Sequence, residues 1–379
     1  MRRLVFLLMI LALSMVAHPA AAQKAFTNED LASDGVRLEE QVKKDGAAMA
    51  GRPLDQLRKS AQTAVAQGNV DYALQTLAAL IALNPKDAGS WSLYARMKMQ
   101  SGDSYAIQQA ATAAAYLAYQ RAGSKGDEAA ALALLGEIFA KRENWRASLN
   151  AYRASLALVD APAVRATYQQ ERETYGFRIL DYKVDNESAA PRVCFQFSES
   201  LPQGRVDFAP FVSVDGVANA AISLDDQQLC VEGLKHGNHY SITLRQGLPS
   251  TVGESLLKTV NYDVYVRDRS PHVHFTGKNY ILPRIGQEGI PIVSVNTRKI
   301  ALDVIRIGDR NLLPTVRSSD FLSQLSSYRI RQYIENDGVK VWSGTLAAGG
   351  QLNQDVTTAF PVLDALGKLY PIDPRRVML

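Results

Sequence analysis

Four of the five histidines are the side chains of this chain best suited to hold a metal ion. His236 and His239 lie in the segment KHGNHY, and His272 and His274 lie in HVH. A strand would place the second pair on one face, as chelation of a metal requires. The first pair falls in a turn, however, and no carboxylate or thiolate has the spacing that would complete a site with either pair. The sequence therefore predicts ordinary turn and surface histidines, with no metal site and no cofactor.

Catalytic signatures are equally weak. The sequence contains no phosphate-binding loop, no dinucleotide-binding glycine pattern and no nucleophile elbow, and its Ser, His and Asp residues suggest no triad. In IRIGDRNLLP, Asp309 and Arg310 follow a predicted strand, and we interpret them as a charge pair in a loop. We assign no catalytic residue and expect that the chain is not an enzyme.

The two cysteines, Cys194 and Cys230, could form a disulfide, as an even number in an exported protein suggests. Each alternates with apolar neighbours that would face a core, which puts both thiols on the more polar face of strands in one domain. A surface disulfide between them is the preferred interpretation. The alternative is two unpaired cysteines on distant strands.

The first 22 residues have the pattern of a secretory signal peptide. Arg2 and Arg3 precede the apolar stretch LVFLLMILALSMVA, and a small-residue cleavage site lies between Ala22 and Gln23. The alternative, an uncleaved anchor, is disfavoured because a span needs about 20 apolar residues. No cysteine follows for lipid attachment, and no later stretch could cross a bilayer. We therefore expect a periplasmic or secreted protein without stable membrane insertion after cleavage.

Charge excludes one class of partner. Without its first 22 residues the chain has 40 basic and 38 acidic residues, a net charge of +2. A protein so close to neutral lacks the basic surface typical of nucleic-acid binding. We expect no nucleic-acid partner.

An alanine-rich segment indicates helical hairpins at residues 56–175, after an N-terminal segment at 23–55. Gly68 and Gly102 are 34 residues apart, which is the period of tetratricopeptide repeats. A third copy places Gly136 in a first helix and Trp145 at the start of a second. We predict three stacked repeats. An ordinary helical bundle with accidental periodicity is the alternative.

Beyond Tyr175 the composition changes to short segments rich in Val, Ile, Phe and Tyr, which predict strands. Turn residues recur often enough to favour two antiparallel β-sandwich domains, at 176–268 and 269–369, with RDRSP as the linker. The segment SSDFLSQLSSYRIRQYIEN has Phe321, Leu325 and Tyr328 at helical spacing, and we predict a helix inserted into the second sandwich. The predicted fold class is tetratricopeptide-like helical hairpins followed by two antiparallel β-sandwiches.

Several contiguous stretches between 177 and 369 resemble the N-terminal region of bacterial alpha-2-macroglobulins. They are RVCFQFSESLP, LCVEGLKHGNHYSITLRQGLPS, YILPRIGQEGIPIVSVNTRKIALDVIRIGDRNL, KVWSGTL and LNQDVTTAFPVLDALGKL. The resemblance implies fibronectin-like macroglobulin domains in an exported inhibitor of endopeptidases. In this family a protease cuts a bait region and the molecule collapses around it, and many members attach to the protease through a thioester formed at Cys-Gly-Glu-Gln. The implied partners are proteases.

The trapping machinery of that family is not visible in this sequence. Cys194 is followed by Phe195 and Cys230 by Val231, so neither fits the thioester motif, and no bait region can be placed. We therefore expect an N-terminal fragment that cannot trap proteases alone. The second hypothesis is a periplasmic module that binds a protein or peptide on its helical repeats, with the β-sandwiches as spacers.

The last ten residues, 370–379, depart from the resemblance. After LDALGKL the family pattern leads us to expect a Pro-Gly turn and a closing strand, but the chain continues YPIDPRRVML. Pro371 and Pro374 lack the backbone donor that a paired central strand needs. We interpret 370–379 as an aberrant tail, produced by a frameshift or a truncated gene.

Overall fold

A computed structural model of the chain describes residues 24–49, 51–204, 206–276, 289–318, 320 and 323–371. The chain forms two compact units, which divide after Gly176. The proposed signal peptide, with its cleavage site at Ala22 and Gln23, lies outside the described residues, as does most of the tail at 372–379.

The described part of the first unit is helical. Helices α2 to α8 pack in sequence, each against the next, while α1 packs against both α3 and α5. The helices are α1 (Glu29–Gly46), α2 (Leu54–Ala66), α3 (Val70–Leu83), α4 (Ala88–Gln100), α5 (Tyr105–Arg121), α6 (Lys125–Lys141), α7 (Trp145–Leu158) and α8 (Pro162–Tyr175).

Local sequence fixes where these helices begin and turn. A polar N-cap side chain accepts a backbone N–H in the first turn of five helices, which satisfies a donor that has no partner within the helix. Gly68 ends the α2 turn with a φ of 68°, a conformation that costs little only without a Cβ. The five caps are Asn28, Asn69, Asp87, Ser104 and Ser124.

The core of the helical unit lies among α1 to α7, where Trp91, Leu77 and Leu135 are fully buried. Gly136 in α6 faces Tyr152 in α7, and a Cβ at this glycine would come within 2.8 Å of the tyrosine ring. The small residue that the repeat pattern predicts at Gly136 therefore allows α6 and α7 to pack closely. The assignment of these hairpins to the tetratricopeptide class stays a prediction.

The second unit begins with a sandwich of two antiparallel sheets, which we call the first β module. One sheet has the order β1-β2-β5-β4 and the other the order β3-β6-β7. Phe195, Phe197 and Ile242 are fully buried between them. The strands are β1 (Ile179–Asp185), β2 (Arg192–Phe197), β3 (Val212–Val214), β4 (Ile222–Asp225), β5 (Gln228–Val231), β6 (Asn238–Leu244) and β7 (Val260–Val266).

The second β module follows from residue 272. Its strands pair as β12-β9-β8 and β10-β11, all antiparallel, around a small core that includes Ile292, Ile300 and Phe360. The strands are β8 (His272–Phe275), β9 (Ile290–Val295), β10 (Lys299–Ile307), β11 (Gly338–Ala347) and β12 (Val356–Phe360), and the helices are α9 (Asp309–Arg317), α10 (Ser327–Gln332) and α11 (Val362–Gly367).

In this module one local prediction is wrong, and another is correct except for the residue at which a helix starts. Asp309 and Arg310 do not lie in a loop, because they begin α9, where Gly308 is the N-cap residue. The single inserted helix predicted from Ser318 starts later, at Ser327, with Ser326 as its cap, and it continues as one π-helical turn to Asp337. Phe321, which we expected on that helix, lies outside the described residues.

The predicted fold class, helices followed by antiparallel β-sheets, is confirmed. Among the described residues, no helix combines the length and apolar character that a bilayer span requires.

Candidate functional site

The two cysteines lie on neighbouring strands of one sheet. Cys194 in β2 is directly opposite Cys230 in β5, and the structure joins them with an Sγ–Sγ distance of 2.05 Å. The expectation of a surface disulfide is wrong in one respect, because Cys230 is only 5% exposed. Its strand lies inside the sheet, where Cys194 and Ser223 flank it on either side. Both cysteines of the sequence are therefore engaged in one bond, with Cys230 buried and Cys194 half-buried.

The four histidines within the described ranges do not converge on a metal centre. His272 and His274 stack on β8 with ring centroids 5.6 Å apart, whereas His239 stacks on Tyr265. His236 lies elsewhere, with its Nε2 2.9 Å from the carbonyl oxygen of Asn186. Over the described ranges, no group of three or more His, Cys, Asp or Glu side chains is arranged to hold a metal ion.

The linker between the β modules, residues 267–271, is held on one side by the first module. Glu187, in the loop between β1 and β2, accepts hydrogen bonds from the backbone N–H and the hydroxyl of Ser270, at 3.0 and 2.9 Å. It also pairs with Arg267 at 2.9 Å. The bonds from Ser270, reinforced by Arg267, lower the pKa of the Glu187 carboxyl below its ordinary value.

On the other side the linker is held by the second module. The guanidinium of Arg269 donates to both carboxylate oxygens of Asp355, at 3.2 and 3.1 Å. The backbone N–H of Arg269 donates to the side-chain oxygen of Asn353, and Asn296 donates to the Arg269 carbonyl at 2.7 Å. We call Glu187, Arg267, Arg269, Ser270, Asn296, Asn353 and Asp355 the linker clamp.

Burial and unusual backbone conformations distinguish the linker clamp from an ordinary surface contact. The side chain of Arg269 is 6% exposed, although it carries a charge. Asn296 and Asn353 both have left-handed backbone conformations, with φ of 49° and 66°, which non-glycine residues rarely adopt. The hydrogen bonds from Arg269, together with its charge, lower the pKa of Asp355. This arrangement orders the linker but brings together no catalytic group.

A groove of about 610 Å³ opens on the helical unit. Three parts of the chain line it: Glu39 and Lys43 from α1, the loop 84–86 between α3 and α4, and Gln120 with Arg121 at the end of α5. Its volume falls within the range of ligand-binding clefts. The sequence did not predict this groove, because its walls are contributed by segments far apart in the chain.

The groove has a fixed electrostatic arrangement. Lys43 and Arg121 both pair with the carboxylate of Glu39, Lys43 at 2.7 Å. Burial raises the pKa of Glu39, but the hydrogen bond from Lys43 and the charge of Arg121 outweigh it, so the pKa lies below its ordinary value. The Arg121 guanidinium also lies 5.3 Å from the ring centroid of Trp91, within cation–π range. The groove therefore presents positively charged side chains in fixed positions.

Part of the chain is similar to a known protein family. Residues 274–369 match the bacterial alpha-2 macroglobulin MG2 domain. Alpha-2-macroglobulin of Xylella fastidiosa is 24% identical over 198 residues, which cover 49% of this chain and 12% of that protein. The chain thus spans about an eighth of the length of the curated relatives that it matches.

Two solved structures have low structural similarity to this chain. A mutant of Salmonella alpha-2-macroglobulin is 18% identical, with a TM-score of 0.35, over 54% of this chain and 12% of that one. A fragment of native Escherichia coli alpha-2-macroglobulin spanning domains MG0-NIE-MG1 is 17% identical, with a TM-score of 0.29, over 52% of this chain and 64% of that one. On the sequence matches, residues 274–369 correspond to an MG2 domain, and the chain resembles an N-terminal portion of the bacterial alpha-2-macroglobulins.

Proposed function

We propose that the chain contributes to an exported inhibitor of endopeptidases, with proteases as its partners. The observation that carries this proposal is the MG2 match at 274–369, which spans the second β module from β8 to α11. The proposal includes export by the signal peptide at 1–22. It also includes the domain limits 23–55, 56–175, 176–268 and 269–369, with 370–379 as the tail, and it assigns the chain no enzymatic activity.

We further propose that these 379 residues do not trap a protease by themselves. A thioester needs a cysteine thiol as one of its two components, and both thiols of the sequence are oxidised in the bond between Cys194 and Cys230. A chain without a free thiol cannot attach to a protease through a thioester, and no bait region can be placed in its sequence. We therefore expect neither the cleavage nor the covalent attachment that would trap a protease.

The test compares a bulky and a small substrate. The purified chain is incubated with trypsin, and the remaining activity is measured on a large protein and on a small chromogenic peptide. We expect equal activity with and without the chain on both substrates. Selective loss of activity on the large protein would overturn the proposal, and a bacterial alpha-2-macroglobulin that traps trypsin is the positive control.

The groove favours a second candidate function, binding of a polypeptide on the helical unit. Its loop 84–86 is fixed by a hydrogen bond from Trp91 Nε1 to the Pro85 carbonyl, at 2.9 Å, so a ligand would meet an ordered surface. We expect the full chain to bind short peptides, measured by fluorescence anisotropy on a peptide collection. If no peptide binds at any concentration at which the chain stays monomeric, this candidate function is wrong.

A further inference from the structure

We propose that the groove formed by α1, the loop 84–86 and the end of α5 binds an acidic segment of a partner protein. This inference rests on the second candidate function above and specifies its ligand. Its basis is the charge and the order of the residues that line the groove.

The first step is the balance of charge. Three cationic side chains line the groove, Lys43, Lys86 and Arg121, against the single carboxylate of Glu39. Since Lys43 and Arg121 share that one carboxylate, the two cations are not neutralised by it. Lys86 is exposed, and its ammonium has no ion-pair partner within the part of the chain that the structure describes. A groove with two excess positive charges favours an anionic ligand.

The second step separates ligand binding from helix stabilisation. Lys43 and Arg121 lie in the last turns of α1 and α5, where a cation also offsets the partial negative charge of the helix end. Lys86 lies in the loop before Asp87, the N-cap residue of α4, where a cation serves no such purpose. The charge of Lys86 is therefore the part that helix stability does not explain.

The third step is preorganisation of the strongest donor. The guanidinium of Arg121 lies between the carboxylate of Glu39 and the fully buried indole of Trp91. The side chain of Arg121 is 19% exposed. Its Nη1 is buried without a hydrogen-bond partner among the described residues, so a ligand would meet the part of the side chain that stays exposed. A guanidinium that is already ordered loses little side-chain entropy when a carboxylate binds.

The fourth step selects a polypeptide over a small anion. Asn84 and Gln120 are exposed at the groove and present side-chain amides, which can both donate to and accept from a peptide backbone. Their combination with cations matches recognition of acidic motifs, in which charge gives attraction and amides give register. The open groove leaves room for an extended chain to enter and leave.

The experiment uses the full chain and a fluorescein-labelled Glu-rich peptide, with the same peptide carrying Gln in place of Glu for comparison. Anisotropy at physiological salt gives the Kd of each. Lys86→Glu reverses the charge that helix stability does not explain, and Lys59→Glu makes the same change at an exposed position of α2 that does not line the groove. Circular dichroism verifies that both variants are folded.

We expect the Glu-rich peptide to bind at least about tenfold more tightly than the Gln-rich peptide, and Lys86→Glu to remove most of that difference. Lys59→Glu should change the Kd by less than about twofold. Equal loss in both variants would mean that net charge alone drives binding, which overturns the inference. So would tighter binding of vesicles rich in anionic lipid that compete with the peptide.

The two levels of the proposal fail differently. If both peptides bind equally and Lys86→Glu has no effect, the acidic specification is wrong while peptide binding by the helical unit stands. If neither peptide binds, and no other peptide binds either, the candidate function itself is wrong.

Discussion

At the scale of single residues, Gly46 determines how closely α1 can approach α3. A Cβ at this position would overlap the carbonyl oxygen of Ala78, and a backbone atom cannot move aside as a side chain can. We expect Gly46→Ala to lower the free energy of unfolding of the helical unit by about 1–3 kcal/mol, the usual cost of overpacking. Urea unfolding followed by far-ultraviolet circular dichroism measures the change.

Gly126→Ala is the matched control. Gly126 is exposed in the first turn of α6, and a Cβ there would have its nearest neighbour, the Ser124 hydroxyl, at 3.7 Å. Since alanine favours a helix over glycine by about 0.5–1 kcal/mol, this variant should be as stable as the parent chain or more stable. Equal destabilisation by both substitutions would contradict the close approach of α1 to α3.

At the scale of elements, the two partners of the ion pair in the linker clamp differ in burial, so their removal should affect stability differently. Arg269 is 6% exposed, whereas the side chain of Asp355 is 47% exposed. Asp355→Asn therefore leaves a buried guanidinium without its counter-ion, and we expect it to destabilise the second unit by about 1–3 kcal/mol. Adding Arg269→Met removes the buried charge, so the double variant should recover part of that loss. Differential scanning calorimetry of the three proteins measures both effects.

The same clamp predicts how stability depends on pH. The pKa of Asp355 is lower in the folded chain than in the unfolded chain, where it is about 4, because Arg269 binds the ionised form. Its contribution is therefore complete above about pH 4 and is lost as the pH falls through the lowered folded value. The difference in stability between the parent chain and Asp355→Asn should shrink over that acidic range. A difference that stays constant would contradict the role of the carboxylate.

How far the sequence predicted these elements depended on whether apolar alternation was present. The segments RVCFQF and KIALDVIRI are rich in the Val, Ile and Phe that predict strands, their apolar side chains alternate, and they coincide with β2 and β10. By contrast β12 was not predicted, since VTTAF is short and half polar. Helix α9 was missed although Leu312, Leu313 and Val316 lie at helical spacing, because the segment is short and contains Pro314, which disfavours a helix interior.

The clamp and the groove could not be predicted from the sequence for a different reason. RDRSP was interpreted as a linker, and the segment does lie between the two β modules. The hydrogen-bond partners of Arg269, however, lie 27, 84 and 86 residues away along the chain. In the groove, the spacing of Glu39 and Lys43 indicates a helix pair, whereas Arg121 joins them from 82 residues away. Pairings over such distances are set by the tertiary fold, which a single sequence does not display.

At the scale of the whole molecule, the disulfide distinguishes the two units. The helical unit has one hydrophobic core and the second unit has one in each β module, and Cys194 and Cys230 both lie in the first β module of the second unit. The bond closes a loop with a sequence separation of 36, for which chain entropy gives about 3–4 kcal/mol of stabilisation. For a unit of this size, that corresponds to a shift in Tm of roughly 10 °C. Loss of the bond should therefore affect one unit alone.

The measurement is calorimetry of the oxidised chain and of the double variant Cys194→Ala/Cys230→Ala. The variant removes the bond without a reductant, and alanine fills the buried position of Cys230 with a small apolar side chain. We expect two transitions in the oxidised chain. In the variant the transition of the second unit should move down, and that of the helical unit should stay within about 1 °C, because the helical unit contains neither cysteine. If both transitions moved together, the two units would unfold as one cooperative body, and the division after Gly176 would have no thermodynamic meaning.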